Sequence, residues 1–182
     1  MQREKELVRR AQQGDREAFA VLYEEHFEGI YRYIFVRIRD QAEAEDLTQQ
    51  VFLAALEALP SYRWRGVPFS SWLFRIAHNR VVDYMRKATK FRSSPTADLA
   101  PAESDPAAAV EREMELAQLA ELLEELTPLQ REVVSLRFSG GLSTAEVAKV
   151  MGKSEGAIKA LQHSALVALR KKLEAGEHGK EI

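Results

Sequence analysis

The chain has no cysteine, which excludes disulfides, cysteine-bound zinc and thiol nucleophiles. No apolar run approaches the roughly 18 residues that a membrane span requires. The first residues, Met1-Gln2-Arg3-Glu4-Lys5-Glu6, are charged and lead into no apolar segment of signal-peptide length. The expectation is a soluble, cytoplasmic protein. Neither charge sign dominates: 26 Lys and Arg stand against 28 Asp and Glu, a net charge of −2. Any nucleic-acid surface must therefore be a local basic patch offset by acids elsewhere. Catalytic patterns are missing too. The histidines, His26, His78, His163 and His178, are scattered and form no HExxH. There is no phosphate-binding glycine loop and no G-x-S-x-G elbow. A non-enzymatic protein without metal or cofactor is expected.

What fills the chain is helical periodicity, with almost no strand pattern. Asp15 is a good N-cap before Arg16-Glu17-Ala18-Phe19. From there Phe19, Leu22, Tyr23, Phe27, Ile30, Tyr31, Ile34 and Ile38 recur at steps of three and four, one apolar face on a long helix. Asp40 starts the next helix, with Leu47, Val51, Phe52, Ala55, Leu56 and Leu59 expected inside and Pro60 at its end. Gly66 and Pro68 mark 61–70 as a loop. A further helix is predicted from about Ser71 to Lys87, with Trp72, Leu73, Ile76, Ala77, Val81 and Tyr84 inward.

Residues 93–109 read SSPTADLAPAESDPAAA. Large apolar residues almost vanish, as in a tether. Helical pattern returns at Val110 and runs through Leu126, and Thr127-Pro128 is a cap followed by proline at the first helical position. The expected fold class is all-α. Two small helical domains, 1–92 and 110–176, flank an acidic flexible linker at 93–109, and 177–182 form a tail.

The second half contains a helix-turn-helix pattern. Ser143 caps a short helix over 144–151, Gly152 allows a tight turn, and Ser154 caps a helix from Glu155 to about Leu173. Small Ala148 lets the helices cross closely. The start of the second helix, Ser154, Glu155, Lys159 and then Gln162 and His163, should face base edges in a major groove. Lys153 and the helix N-terminus suit phosphate, and Arg170 suits either phosphate or the helix dipole. An ordinary helical hairpin is the plainer alternative.

The first half interleaves aromatics with cations: Tyr62, Arg63, Trp64, Arg65, Trp72, Arg75, His78, Asn79, Arg80, Tyr84, Arg86 and Lys87, with Asp83 the sole acid from Tyr62 to Arg92. Single-stranded nucleic acid is held in this way, by stacking on bases and tracking phosphates. A loop beside such a helix can also pocket an unstacked base. Core packing accounts for Trp72, Ile76 and Tyr84 equally well; Tyr62 and Trp64, on a loop, are harder to explain so. On the preceding helix, Glu43, Glu45, Asp46, Gln49 and Gln50 make an acidic, amide-rich outer face.

These segments resemble a known family. Asp46-Leu47-Thr48-Gln49-Gln50-Val51-Phe52-Leu53-Ala54-Ala55 is similar to region 2.2 of extracytoplasmic-function sigma factors, in the sigma-70 family. Phe69 to Arg86 resembles regions 2.3 and 2.4, Leu126 to Val133 the start of domain 4, and Leu142 to Leu173 region 4.2. The resemblance implies that Asp46, Gln49 and Gln50 dock on the β′ clamp helices of core RNA polymerase. It implies that Tyr62, Arg63, Trp64, Arg65, Arg75, His78, Asn79, Arg80, Arg86 and Lys87 read and melt the promoter −10 element. Lys153, Ser154, Glu155, Lys159, Gln162, His163 and Arg170 would serve the −35 element, the outer surface of domain 4 would hold the β flap, and the linker would lie in the RNA channel. An anti-sigma protein is a further expected partner. The chain departs from the family at Gln50, where an acid is usual, and at Leu161, Ser164 and Leu166, where many members carry arginine. A weaker phosphate grip on the −35 element follows. No appended C-terminal module is expected.

A helix-turn-helix regulator acting without core polymerase is the competing reading. It leaves the Trp64 loop and the region 2.2 likeness unexplained.

Overall fold

A computed structural model describes residues 2–64, 67–90 and 106–178. The linker acids Asp98, Glu103 and Asp105, as well as Arg65, lie outside the described residues. Eight α-helices follow in order: α1 (Gln2–Gln12), α2 (Arg16–Ile38), α3 (Gln41–Ala58), α4 (Phe69–Lys90), α5 (Pro106–Leu122), α6 (Pro128–Phe138), α7 (Thr144–Met151) and α8 (Glu155–His178). There is no strand among the described residues, and no helix there is long and apolar enough to cross a membrane.

Local chemistry sets the boundaries. The Asp15 carboxylate accepts from the Ala18 amide and the Asp40 carboxylate from the Glu43 amide, satisfying N–H groups that a helix start leaves open. Thr127 with Gln130, and Ser143 with Glu146, close reciprocal capping boxes at the heads of α6 and α7. Gly152 adopts φ 63°, a left-handed conformation that glycine enters without a Cβ penalty, and its N–H donates to Ala148 to end α7. Between α2 and α3 the same role falls to Arg39, at φ 58°.

Helices α1 to α4 form the N-terminal half, and α5 to α8 the C-terminal half. Leu22, Ile30, Ile34, Val51, Ala55, Leu73 and Val81, all completely buried, fill the first. Their apolar cluster continues without a break into Val133, Leu136, Val147 and Ile158 of the second. A smaller cluster joins Val36 of α2 to Ala120, Leu123, Val134 and Ala165. The two halves are packed on one another, with α4 against α7 and α2 against α5 and α6.

Four sequence expectations change. Leu56, expected on the inner face of its helix, is 48% exposed. It lies three residues from the outward Leu53, and α3 is covered on one side only. Helix α5 begins at Pro106, inside the span read as linker, and α8 continues to His178. Helix α1 was not foreseen. Its Leu7 and Val8 are buried against the first half, while arginines and glutamates mask so short an apolar stripe.

Candidate nucleic-acid and polymerase interface

The second helix of the helix-turn-helix is presented by its caps. The Lys153 amide donates to Ala148 at 2.9 Å, which turns the chain sharply after Gly152. The Ser154 hydroxyl then accepts from the Ala157 amide at 3.2 Å. This leaves Lys153, Ser154, Glu155, Gly156, Lys159 and His163 exposed, with Gln162 half-buried. Completely buried Ile158 and half-buried Leu161 anchor the opposite face. Arg170, two turns beyond His163, is exposed and paired with Glu174 at 2.7 Å. Ser164, also exposed, accepts from the Gln130 side-chain amide of α6 at 2.5 Å. The ridge thus offers two ammonium groups, one carboxylate and hydroxyl and imidazole groups, the proportions of a base-reading surface with a light phosphate grip.

The loop after α3 is built differently. Tyr62 is buried, its ring 5.9 Å from Phe69 and 4.8 Å from Trp72. Its hydroxyl donates to the Val67 carbonyl at 2.9 Å, closing the loop across its base. Burial, helped by the charge of Glu4, pushes this phenol up to about 12. The Gln12 amide of α1 donates to the carbonyls of Leu59 and Tyr62 at 3.0 and 2.9 Å. Trp64 is partly buried, with the Lys5 ammonium 5.0 Å from its ring centre. Arg63 donates to the carbonyls of Pro60 and Tyr62.

Along α4, Arg75, Asn79, Arg80, Arg86 and Lys87 are all exposed. Spacings of four and seven set Arg75, Asn79 and Arg86 in one stripe. His78 points the other way. Its Nδ1 lies 2.9 Å from the Glu132 carboxylate of α6, so the structure separates it from the stripe. A cleft of about 580 Å³ opens between the loop, α4 and α7, lined by Tyr62, Arg63, Val67, Trp72, Arg75 and Lys149 among others. Three of these side chains are cationic.

On α3, Asp46 and Gln49 are exposed, and the half-buried Gln50 donates to Asp46 at 2.6 Å. Leu53 and Leu56 continue the same stripe at 57% and 48% exposure. Sequence reasoning missed this apolar extension. Its signal was the spacing of three and four from Gln49 to Leu53 and Leu56.

It also missed Glu132, which is only 3% exposed. Tyr33 donates to it at 2.5 Å and Arg37 lies 2.6 Å from it. Burial pushes the Glu132 carboxyl up, but the His78 hydrogen bond, the charges of Arg37 and His78 and the Tyr33 hydroxyl outweigh it and hold the group below the usual glutamate range. Burial and the neighbouring carboxylate push the Tyr33 phenol far up. A buried glutamate in an otherwise ordinary amphipathic helix is not visible without its partners, which lie far away in sequence. Among the described residues no cluster of three or more His, Cys, Asp or Glu could hold a metal ion.

Comparison with known proteins agrees with this geometry. The model for Sigma-70 region 2 matches residues 22–91, and that for Sigma-70, region 4 matches residues 122–171. The ECF RNA polymerase sigma factor BldN of Streptomyces coelicolor is 42% identical over 172 residues, which are 92% of this chain and 65% of BldN. The chain thus spans slightly less than two-thirds of that relative. The ECF RNA polymerase sigma factor SigD of Mycobacterium tuberculosis is 36% identical over 176 residues, 93% of this chain and 83% of SigD. Among solved structures, CnrH in complex with the cytosolic domain of CnrY matches with a TM-score of 0.73 at 28% identity, covering 95% of this chain and 98% of CnrH.

Proposed function

The chain belongs to the extracytoplasmic-function sigma factors of the sigma-70 family, and we propose that it binds core RNA polymerase and directs it to promoters with a −35 and a −10 element. The observation that supports this reading is the presence in one chain of two unlike polar surfaces. The exposed start of α8 suits base edges in an intact duplex. The aromatic loop and the cationic stripe of α4, beside the cleft, suit an unpaired strand. A duplex-only regulator has no use for the second.

Residues 1–92 take core binding and −10 recognition, and residues 110–176 take −35 recognition, with 93–109 as the tether. Asp46, Gln49 and Gln50 dock on the β′ clamp helices, and Leu53 and Leu56 extend that footprint with apolar area. Arg63, Trp64, Arg65, Arg75, Asn79, Arg80, Arg86 and Lys87 face the melted strand. Tyr62 supports the loop from beneath, and His78 reaches DNA only if it leaves Glu132. Lys159 and Glu155 read −35 bases, Lys153, Ser154 and Arg170 hold the backbone, and Gln162 and His163 lie at the edge of reach. Domain 4 also carries the surface for the β flap. The work is done where polymerase and chromosome are, in the cytoplasm. An anti-sigma protein is the expected regulator, since CnrH, of similar shape, is held by a cytosolic domain of a second protein.

Run-off transcription with core polymerase on a library of genomic fragments tests this reading. Discrete transcripts that need both the chain and the core are expected. Undiminished promoter binding by the chain alone, with no effect on transcription by added core, would support the duplex regulator instead.

A further inference from the structure

We propose that α1 braces the aromatic loop, with Gln12 as its positioning residue, and that this brace frees Arg63 for the strand the loop receives. The role toward a strand rests on the promoter-reading function proposed above; the brace itself does not.

Helix α1 is anchored from behind. Leu7 and Val8 are buried, and Arg3 pairs with Glu25 of α2 at 2.8 Å. Lys5, Val8 and Gln12 follow at steps of three and four, which sets them on one stripe of the helix. That stripe meets the loop. A side-chain amide nitrogen carries two N–H groups, and Gln12 uses both, on the carbonyls of Leu59 and Tyr62. These acceptors stand at the two ends of the short 3-10 turn Leu59–Ser61 that leads into the loop. The Lys5 ammonium covers the Trp64 ring. The Glu4 carboxylate accepts from the Ser70 amide at 3.4 Å, in the first turn of α4, where negative charge is favoured. One helix thus touches the entry of the loop, its indole and its exit, and it does so from ahead of the stretch matched to region 2.

Covering the core needs only Leu7 and Val8. The polar contacts do something else, and Arg63 shows what. The Tyr62 carbonyl accepts twice, from Gln12 and from Arg63, which uses both lone pairs of its oxygen. Arg63 is exposed and holds the Pro60 carbonyl as well. When Arg63 turns to a phosphate, Gln12 keeps the Tyr62 carbonyl paired and the turn keeps its shape. Without Gln12 the same guanidinium would have to hold the turn and the strand at once, and a part-buried carbonyl left without a donor is disfavoured. Lys5 acts on the indole. A cation is held over the face of an aromatic ring, so the ammonium fixes the plane in which Trp64 can meet a base.

The chain has two tryptophans, Trp64 and Trp72, which makes the loop visible. The full chain grown with fluorotryptophan should give one fluorine NMR signal for each, and Trp64→Phe assigns them. The displacement of each signal between water and heavy water reports its exposure. Gln12→Met keeps the length of the side chain and removes both donors, while Gln12→Lys restores a donor. Gln12→Met and Lys5→Ala should expose Trp64, and Gln12→Lys should cover it again. Arg63→Ala alone should leave Trp64 near its parent exposure, because Gln12 still holds the turn; combined with Gln12→Met it should expose Trp64 further than Gln12→Met does. The second readout is open-complex formation with core polymerase, on promoters that share one −35 element and differ at −10. Gln12→Met should reduce the preference for the parent −10 sequence by up to about tenfold, the scale of one or two net hydrogen bonds, with affinity for core unchanged. Gln12→Lys should regain most of it. Lys5→Ala, at an exposed position, should reduce it roughly two- to fivefold with no loss of helical circular dichroism.

Trp64 equally covered in the parent, Gln12→Met and Lys5→Ala would overturn the brace. Trp64 exposed as far by Arg63→Ala alone as by Gln12→Met would overturn the freeing of Arg63. An unchanged −10 preference, a loss shared equally by all −10 sequences, or no recovery in Gln12→Lys would overturn the positioning role and leave α1 a supporting helix. Should Gln12→Met lose helical circular dichroism, Lys5→Ala and Gln12→Lys decide in its place. If the parent gave no transcripts with core, the promoter-reading function and with it the role toward a strand would fall, while the fluorine signals would still decide the brace.

Discussion

Under the proposed function, the start of α8 and the loop leading into α4 are two designs for meeting DNA. At α8 the reading side chains stand clear of the protein, and their support comes from behind, through buried Ile158 and the Ser154 cap. In the loop region several candidate reading groups are already occupied, whereas Arg75, Asn79 and Arg80 of α4 stand exposed. Tyr62 is in the core, Trp64 has Lys5 over its ring, Arg63 holds carbonyls and His78 holds Glu132. A surface that reads an intact duplex can be rigid and finished in advance, because B-form geometry is constant. One that captures an unpaired strand must wait for its substrate, and four of its groups are parked on internal partners until then.

The largest expected effect would break this contrast at its base. Phe69 is 1% exposed, carries Tyr62 and Trp72 on its ring and opens α4. Phe69→Ala should cost about 3–5 kcal/mol, read as a lower denaturation midpoint. Below that midpoint it should leave −35 duplex binding nearly intact while abolishing open complexes. Equal loss of both would show that the two surfaces are not separately supported.

Asn79 sharpens the contrast because it is exposed. Asn79→Ala should slow open-complex formation by about 10–100-fold, on the order of 1–3 kcal/mol for a bidentate amide–base contact, and spare closed-complex affinity. Permanganate footprinting alongside filter binding separates the steps. Trp64→Ala should do the same but with a fall in thermal stability, since its ring packs on the core.

At α8, Lys159→Ala should weaken the preferred −35 sequence by about 1–3 kcal/mol more than scrambled ones. Binding across −35 variants at two salt concentrations checks this. A uniform loss with the salt slope reduced by about one unit would assign Lys159 to phosphate instead. Gly152→Ala, forcing alanine to φ 63°, should cost about 1–2 kcal/mol in thermal stability without altering base preference.

Acidity probes the seam between the two regions. The carboxyl of Glu132 is held below its ordinary 4.5 by partners on the other half. A lowered folded value means its contribution is full above pH 4.5 and is lost as the pH falls through the folded value. Stability should therefore decline below pH 4.5, and Glu132→Gln should flatten that limb of the profile in a pH series of denaturation midpoints.

Much of this organisation was legible in the sequence because it is written locally. Caps at Asp15, Asp40, Thr127, Ser143 and Ser154 act within three residues, so the heads of α2, α3, α6, α7 and α8 could be placed. Helical period found the inner faces, and the region 2 and region 4 likeness followed from short motifs. What escaped was non-local. The Glu132 cluster joins residues about 50 to 100 apart in the chain, and no periodicity marks which polar residue will be buried. Leu56 misled for a related reason: its spacing fits an inner face, but no element among the described residues covers that side of α3.

Helix α1 lies ahead of the stretch that the region 2 pattern covers, yet its Gln12 fastens both ends of the turn before the aromatic loop. Selection can therefore reach the loop from outside. A change at Gln12 or Lys5 would reshape how the loop is held without altering any residue that meets a base. Promoter choice in such a protein could drift through a helix outside the region 2 match, while the residues inside that match stay as they are.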